Sequence, residues 1–203
     1  MTGPVGVILA GGTAARMGGG DKVLLPLGKD TVLGQVRDRF SPQVAALALN
    51  ANGDPGRFAA YGLPVLPDAP GELAGPLAGV LAGLDWAAAQ GASHLVTVPG
   101  DTPFLPCDLV PRLLLAAETE GRRIAVAASG GRRHPVAALW HVDLRPALAE
   151  ALSEGRRRVG VFADAIGAAS AAFEGVPSGP DPFFNINTPA DHAVARTLAL
   201  ALA

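Results

Sequence analysis

The chain has 203 residues, of which 49% are hydrophobic and 17% are charged, and its formal net charge at pH 7 is -2. This length and composition predict one globular domain, residues 1–203, with a sizeable core and no extensive disorder. The small net charge gives no electrostatic reason to expect nucleic acid or an anionic membrane as the main partner.

Cysteine usage and hydropathy bear on the compartment. Cys107 is the single cysteine of the chain, so an internal disulfide is excluded, and this usage favours a reducing compartment, the cytoplasm. The apolar run at residues 5–10 follows no basic residue and is too short for a secretory signal, so we expect a buried strand there. No run approaches the roughly 20 apolar residues of a membrane-spanning helix, so we expect no membrane association.

Short apolar runs alternate with helix-like segments over the first two-thirds of the chain. These runs are rich in Val, Leu and Ala without polar alternation, as expected for parallel strands covered on both faces. The predicted strands are residues 5–10, 44–50, 64–67, 94–99 and 124–128.

Helices are predicted between these strands and beyond them. The alternation implies right-handed crossovers and a three-layer α/β/α sandwich with a mostly parallel, Rossmann-like sheet. In the last third we also predict strands at residues 135–141 and 183–187. The predicted helices are residues 31–40, 55–61, 75–90, 108–120, 144–153, 157–166 and 189–202.

A glycine-rich segment, Leu9 to Lys22 (LAGGTAARMGGGDK), directly follows the first strand. Glycines let the backbone approach a ligand closely, and free N–H groups after a strand can cradle phosphate oxygens. Arg16 and Lys22 could neutralise a triphosphate held there. The spacing is neither that of a P-loop nor Gly-x-Gly-x-x-Gly. The alternative is a surface loop of a glycine-rich protein, but the position after a buried strand and the two cations favour a phosphate loop.

Two carboxylates also follow predicted strands, Asp68 after residues 64–67 and Asp101 after residues 94–99. Parallel strands would place both at the same sheet edge as the glycine-rich segment. Mg²⁺ bound to a triphosphate needs one or two carboxylates. Asp101 is the better candidate because its strand is longer and more apolar. The alternative, that Asp101 with Thr102 starts a turn or caps a helix, stays open.

Several segments, in order from the first strand to the last helix, match the motifs of one family. They are residues 9–12 (LAGG), 16–19 (RMGG), 21–22 (DK), 42–44 (PQV), 50–52 (NAN), 75–79 (GPLAG), 101–104 (DTPF) and 185–189 (NINTP). The chain resembles the molybdenum cofactor guanylyltransferases, within the glycosyltransferase-A-like nucleotidyltransferase fold. The resemblance implies Mg²⁺-dependent transfer of GMP from GTP to Mo-molybdopterin, with pyrophosphate released.

The resemblance also implies roles for individual residues. Arg16, Lys22 and Asp101 would form the catalytic group, with Asp101 holding Mg²⁺. The acceptor side would include Asn185, Asn187, Arg156 and Arg157. The GTP-binding residues would be Leu9, Ala10, Gly11, Gly12, Lys22, Asn50, Asp68, Gly75, Pro76, Leu77 and Gly79.

Gly100 departs from the family pattern, which commonly has cysteine before Asp-Thr-Pro, so no thiol is expected to hold molybdenum there. The acceptor already carries a phosphate, so we expect direct attack on the α-phosphorus without a covalent enzyme intermediate. Alternatives are a cytidylyltransferase, a sugar-phosphate nucleotidyltransferase, or a non-catalytic carrier of molybdenum cofactor. Further partners would be molybdopterin-handling proteins and apo-molybdoenzymes.

Overall fold

The computed structural model of the chain describes residues 3–11, 21–68, 75–175 and 179–201. The strands predicted over the first two-thirds of the chain are present, and the strand at residues 94–99 has the predicted bounds. The strands are β1 (Val5–Leu9), β2 (Pro26–Leu27), β3 (Asp30–Thr31), β4 (Leu47–Asn50), β5 (Val65–Leu66), β6 (His94–Pro99), β7 (Ile124–Ser129), β8 (Arg132–His141) and β9 (Ala169–Ala172). The sequence prediction missed β2, β3 and β9.

Seven strands form one sheet in the order β5-β4-β1-β6-β8-β7-β9, and β2 pairs with β3 separately. Strands β5, β4, β1 and β6 are parallel neighbours, as are β7 and β9. Within the described sheet β8 alone is reversed, antiparallel to β6 and β7. Gly130 and Gly131, with φ of 52° and 75°, form the tight turn that reverses the chain and starts β8 earlier than predicted. The predicted mostly parallel sheet is confirmed.

Helices cover both faces of this sheet. β1 shows the two-sided burial, because Ile8 packs into one apolar core and Val7 into the other. The α-helices are α1 (Val32–Phe40), α2 (Pro76–Ala89), α3 (Leu109–Glu120), α4 (Arg145–Ser153), α5 (Val159–Ile166) and α6 (Pro189–Ala201). The core around Ile8 receives side chains from α1 and α3, and the core around Val7 receives them from α2, α4 and α5. The predicted three-layer sandwich is confirmed.

Two predicted elements differ from the structure. Residues 55–61 form a 3-10 helix, Pro55–Tyr61, rather than an α-helix. The strand predicted at residues 183–187 is wrong, because the backbone N–H groups of this segment bond to loops instead of a neighbouring strand. Phe183 N donates to the Asp181 carboxylate, and Ile186 N donates to the Asp101 carbonyl oxygen.

A buried polar pair compensates an irregularity in β8. The β7–β8 register shifts between Val126 and Ala127, so the backbone of β8 bulges near Val136. Thr97 Oγ1 donates to the Val136 carbonyl oxygen at 2.8 Å and accepts from Trp140 Nε1 at 2.9 Å. Both side chains are fully buried, so this arrangement satisfies groups that would otherwise be costly.

Candidate active site

The candidate site lies where β4, β1 and β6 end together. Leu9 is in register with Asn50 on one side and with Pro99 on the other. Beyond β1, Ala10 N donates to the Asn50 carbonyl oxygen at 2.9 Å, and Gly100 N donates to that of Leu9 at 3.0 Å. The loops after these strands are therefore held side by side at the carboxyl edge, where ligands bind in parallel sheets.

Gly100 fits this close approach of the two loops. A Cβ on residue 100 would lie 3.3 Å from both the Leu9 carbonyl oxygen and Ala10 Cα. The segment around Ala10 would have to move slightly to accept a side chain at position 100. The glycine thus permits the close approach of the two loops.

A pocket opens between the end of β1, the last residues of the glycine-rich segment and the end of β6. Among the described residues, no atom lies within 4 Å of the point that a Cβ on Gly11 would occupy. Val23, 4% exposed, anchors the short 3-10 helix that presents Lys22. The pocket is lined by Leu9, Ala10, Gly11, Asp21, Lys22, Val23 and Asp101.

Lys22 joins two parts of the predicted site. Its Nζ lies 2.5 Å from Asp101 Oδ2 and donates to Asn187 Oδ1 at 2.8 Å. The Lys22 and Asp101 side chains are only 19% and 14% exposed, so solvent screens this pair less than a surface ion pair. The structure therefore brings together a predicted triphosphate cation, the predicted metal carboxylate and a predicted acceptor residue.

The segment from Asn185 to Asn187 is held from the β6 side. Thr102, fully buried, donates through Oγ1 to Asn185 Oδ1 at 2.8 Å. Ile186 N donates to the Asp101 carbonyl oxygen at 3.0 Å, and the Ile186 side chain is buried. Asn185 and Asn187 therefore flank Ile186, a residue held in place by its backbone and its buried side chain.

A reciprocal cap then starts α6. Asp191 Oδ2 accepts from the N–H groups of Asn187 at 3.0 Å and Thr188 at 2.8 Å, and Thr188 Oγ1 accepts from Asp191 N at 3.1 Å. This is a capping box with aspartate in place of glutamate. The hydrogen bond from the Asn187 backbone, followed by that from the Thr188 side chain, lowers the pKa of the Asp191 carboxyl.

Asn50 and Asp68 meet at the end of β4, and no hydrogen bond or ion pair within the described ranges joins Asp68 to Lys22 or Asp101. Asn50 Nδ2 donates to Asp68 Oδ1 at 2.9 Å, and Asn52 Nδ2 donates to Asp68 Oδ2 at 2.8 Å. The carboxylate thus orients two amides. Gly79 in α2 packs against Asn50 so closely that a Cβ would lie 2.2 Å from Asn50 Oδ1. A side chain at position 79 would therefore displace Asn50.

The start of α2 also reaches this edge. Gly75 has a φ of 118° before Pro76 at the first helical turn, which explains the Gly-Pro pair. A Cβ on Gly75 would lie 3.9 Å from the Arg157 carbonyl oxygen. Arg156 pairs with Glu154, and no hydrogen bond or ion pair among the described residues joins Arg156 or Arg157 to the asparagines 185 and 187. Both arginines are exposed.

Arg57 is a site residue that the sequence analysis missed. Its Nε lies 2.7 Å from Asp21 Oδ2, and its Nη2 donates to the Asn52 carbonyl oxygen at 2.7 Å. Its guanidinium carbon lies 4.7 Å from the centre of the Phe58 ring. Arg57 therefore ties the residue before Lys22 to the segment after β4. A lone arginine in a short helix carries no motif that would have revealed this role.

Two predicted residues, Arg16 and Gly12, lie outside the described ranges. Within those ranges there is no group of three or more His, Cys, Asp or Glu residues suited to a metal. No helix in the same ranges is long and apolar enough to cross a membrane.

The chain is similar to known proteins over nearly its whole length. The family of MobA-like NTP transferase domains matches residues 6–166. The molybdenum cofactor guanylyltransferase of Mesorhizobium japonicum is 55% identical over 196 residues, covering 95% of this chain and 94% of the relative. That of a Bradyrhizobium species is 51% identical over 197 residues, covering 96% and 92%.

One solved structure shares the same fold at much lower identity. Molybdopterin-guanine dinucleotide biosynthesis protein A from Archaeoglobus fulgidus superposes with a TM-score of 0.74 at 19% identity, over 97% of this chain and 99% of that one. At this identity the likeness concerns the fold alone.

Proposed function

The chain belongs to the family of MobA-like NTP transferases, and we propose that it transfers GMP from GTP to Mo-molybdopterin, forming molybdopterin guanine dinucleotide and pyrophosphate. Identity above 50% to molybdenum cofactor guanylyltransferases, over nearly the whole of both chains, supports this base and this acceptor. The chain is accordingly a nucleotidyltransferase.

The double contact of Lys22 is the observation that carries the proposal. Transfer between two substrates needs the triphosphate and the acceptor phosphate to meet at one point. Lys22 lies beside the pocket after β1 and bonds both Asp101 and Asn187. One cation thus stands between the proposed nucleotide side and the proposed acceptor side, where negative charge from both substrates would converge.

Asp101 fits a magnesium ion shared with the triphosphate. Mg²⁺ is commonly held by one or two carboxylates together with substrate phosphates and water. Asp101 lines the pocket, and its Oδ1 lies 3.4 Å from Thr102 Oγ1, whose hydrogen goes to Asn185, which leaves Oδ1 suited to a hard cation. When bound, Mg²⁺ would supply neutralisation of the charge on the leaving pyrophosphate.

The chain's own residues would position the two substrates and neutralise the charge of their phosphates. Lys22, with Arg16 from the glycine-rich segment, would hold the triphosphate, and Asn185 and Asn187 would hold the acceptor. An oxygen of the acceptor phosphate forms a bond to the α-phosphorus of GTP. The bond from the α-phosphorus to its bridging oxygen breaks, and pyrophosphate leaves with the electron pair. Because a phosphate oxygen is already ionised near neutral pH, no general base is needed.

The remaining described residues proposed to bind the nucleotide and the acceptor lie along the same edge of the sheet. Asn50, oriented by Asp68, and the tight Gly79 contact would shape the nucleotide site at the ends of β1 and β4. Arg156 and Arg157 are exposed at the same edge as the start of α2 and would attract acceptor phosphate. The proposed nucleotide-binding set is Leu9, Ala10, Gly11, Gly12, Lys22, Asn50, Asp68, Gly75, Pro76, Leu77 and Gly79.

The alternatives of cytidylyl transfer, sugar-phosphate substrates and a non-catalytic carrier are not favoured by the guanylyltransferase relatives. Calorimetric titration with GTP, CTP and ATP, with and without Mg²⁺, tests the base. GTP should bind most tightly, and Mg²⁺ should strengthen it; tighter CTP binding would contradict guanylyl transfer.

Release of pyrophosphate from GTP tests catalysis. It should depend on Mo-molybdopterin and Mg²⁺, whereas binding of both ligands without pyrophosphate release would indicate a carrier. We also propose a cytoplasmic location, supported by the use of one cysteine, Cys107. Molybdopterin-handling proteins and apo-molybdoenzymes are the further partners that this product implies.

A further inference from the structure

A polar cluster outside the proposed catalytic group lies at the end of β7 and the start of β8. Ser129, 5% exposed, contacts the half-buried His134 through a 2.8 Å distance between Oγ and Nε2. Ser129 Oγ also donates to Asp181 Oδ1 at 2.9 Å. Because the hydroxyl gives its one hydrogen to Asp181, it accepts from His134, so Nε2 of the ring carries hydrogen.

Burial also favours the neutral form of the His134 ring. Burial lowers the pKa of His134, opposed by Asp181 and aided by Arg132. A neutral imidazole has one N–H, and the cluster uses it at Nε2. The hydrogen bonds therefore run in one direction, from His134 through Ser129 to Asp181.

The same cluster sets the turn before the acceptor segment. Asp181 Oδ1 also accepts from Phe183 N at 2.8 Å, and Phe184 N donates to the Asp181 carbonyl oxygen at 3.0 Å. The Phe183 ring stacks on the His134 ring, with centres 4.5 Å apart and an angle of 21°. Phe183 also meets Phe173 edge-on, with centres 5.4 Å apart. His134 thus contacts the turn through a hydrogen-bond chain and through a ring contact.

We propose that His134, acting through Ser129 and Asp181, is a positioning residue that orients Asn185 and Asn187 toward the acceptor. The inference rests on the proposed function for the acceptor assignment. Asn185 lies two residues after Phe183 in the chain. A rotation of the turn at residues 181–184 would therefore move the Asn185 amide away from Thr102 and the Asn187 amide away from Lys22. Misoriented amides would hold the acceptor less tightly, while the GTP-binding residues would keep their positions.

Three variants separate the two contacts of His134. His134→Phe keeps an aromatic ring on Phe183 and removes the N–H donor, His134→Gln retains an amide donor, and Ser129→Ala interrupts the chain at one oxygen. His94→Phe is the matched control, because His94 is also part-buried and bonds a serine, Ser93, but lies at the amino end of β6.

Hydrogen exchange of the free protein, followed by mass spectrometry on peptides spanning residues 181–188, tests the positioning without substrates. Exchange should be faster in His134→Phe and Ser129→Ala, intermediate in His134→Gln and unchanged in His94→Phe. Unchanged exchange in both His134→Phe and Ser129→Ala would overturn the proposal. If His134→Phe does not fold, Ser129→Ala decides the same question.

Steady-state kinetics give the second readout. In His134→Phe and Ser129→Ala the KM for the acceptor should rise about tenfold while the KM for GTP stays within about twofold. Equal increases in both values would overturn the positioning role. An inactive wild-type protein would refute the proposed function, and hydrogen exchange would still decide whether His134 orders the segment.

Discussion

The Lys22 ammonium lies 2.5 Å from Asp101 Oδ2, although 79 positions separate the two residues in the chain. The pair joins the last residue of the glycine-rich segment to the end of β6. A bound triphosphate would pair with the Lys22 ammonium, and a bound metal ion would pair with the Asp101 carboxylate. We therefore expect substrate binding to redistribute these contacts, and the site can be tested one residue at a time.

Asp101→Asn should reduce turnover by about 100- to 1000-fold, because the carboxylate charge that would hold the metal is lost. Folding should persist, since Ile186 bonds the Asp101 backbone oxygen, which asparagine retains. Pyrophosphate release and the melting temperature measure the two effects. Turnover near that of the wild type would contradict the metal assignment.

Lys22→Ala should raise the KM for GTP and lower kcat, together reducing kcat/KM by at least about 100-fold, because a cation is lost where charge converges. Arg16→Ala should weaken GTP binding in the same direction. Lys29→Ala is the matched control, since Lys29 lies exposed in the turn between β2 and β3. Equal kinetics for the Lys22 and Lys29 variants would refute the role of Lys22.

Gly79→Ala should destabilise the fold by about 1–3 kcal/mol and weaken GTP binding, because its Cβ would overlap Asn50 Oδ1. Gly3→Ala is the control, as its Cβ would make an ordinary 3.8 Å contact with the Ala45 Cβ. Urea unfolding and GTP calorimetry on both variants measure the difference. A fully stable Gly79→Ala protein with normal GTP affinity would contradict the packing role.

Thr97→Val should cost about 2–4 kcal/mol of unfolding free energy, because it leaves two buried groups, Trp140 Nε1 and the Val136 carbonyl, without a partner. Thr197→Val, on the exposed side of α6, is the control. Its hydroxyl donates to the Ala193 carbonyl oxygen within the helix. Similar unfolding free energies for the two variants would exclude a structural role for the buried pair.

Asp191→Ala should destabilise the protein in a pH-dependent way. The folded-state pKa of Asp191 is lowered, so its ionised form stabilises the fold at pH values above its unfolded pKa of about 4. This stabilisation is lost as pH falls through the folded pKa. The difference in unfolding free energy between wild type and variant should therefore be largest near neutral pH and vanish in acid.

The matched control for the pH series is Glu120→Ala, which removes an exposed carboxylate at the end of α3 that forms no ion pair among the described residues. Its unfolding free energy should differ from that of the wild type by a smaller, nearly pH-independent amount. A difference for Asp191→Ala that persists unchanged in acid would show that lost packing, not the carboxylate charge, causes the effect.

Local patterns were sufficient to predict most of the sheet and its ligand edge. Apolar runs identify buried parallel strands, and parallel strands end at one edge, so the glycine-rich segment and Asp101 could be predicted to lie at the same edge without coordinates. The strand predicted at residues 183–187 failed because apolar alternation reports burial of Phe183 but not the partner of each backbone N–H. Those partners, Asp181 and Asp101, lie in loops.

The order of strands and helices, the phosphate-loop motif and the family thus depend on residues close together in the chain, where spacing alone carries the information. Contacts across long separations depend on packing instead. Asn187 meets Lys22 across 165 positions, Arg57 pairs with Asp21 from a helix without a motif, and His134 reaches Asp181 through Ser129. Each of these needs the folded sheet to bring distant polar groups within hydrogen-bond range, and no periodicity in the sequence encodes that distance.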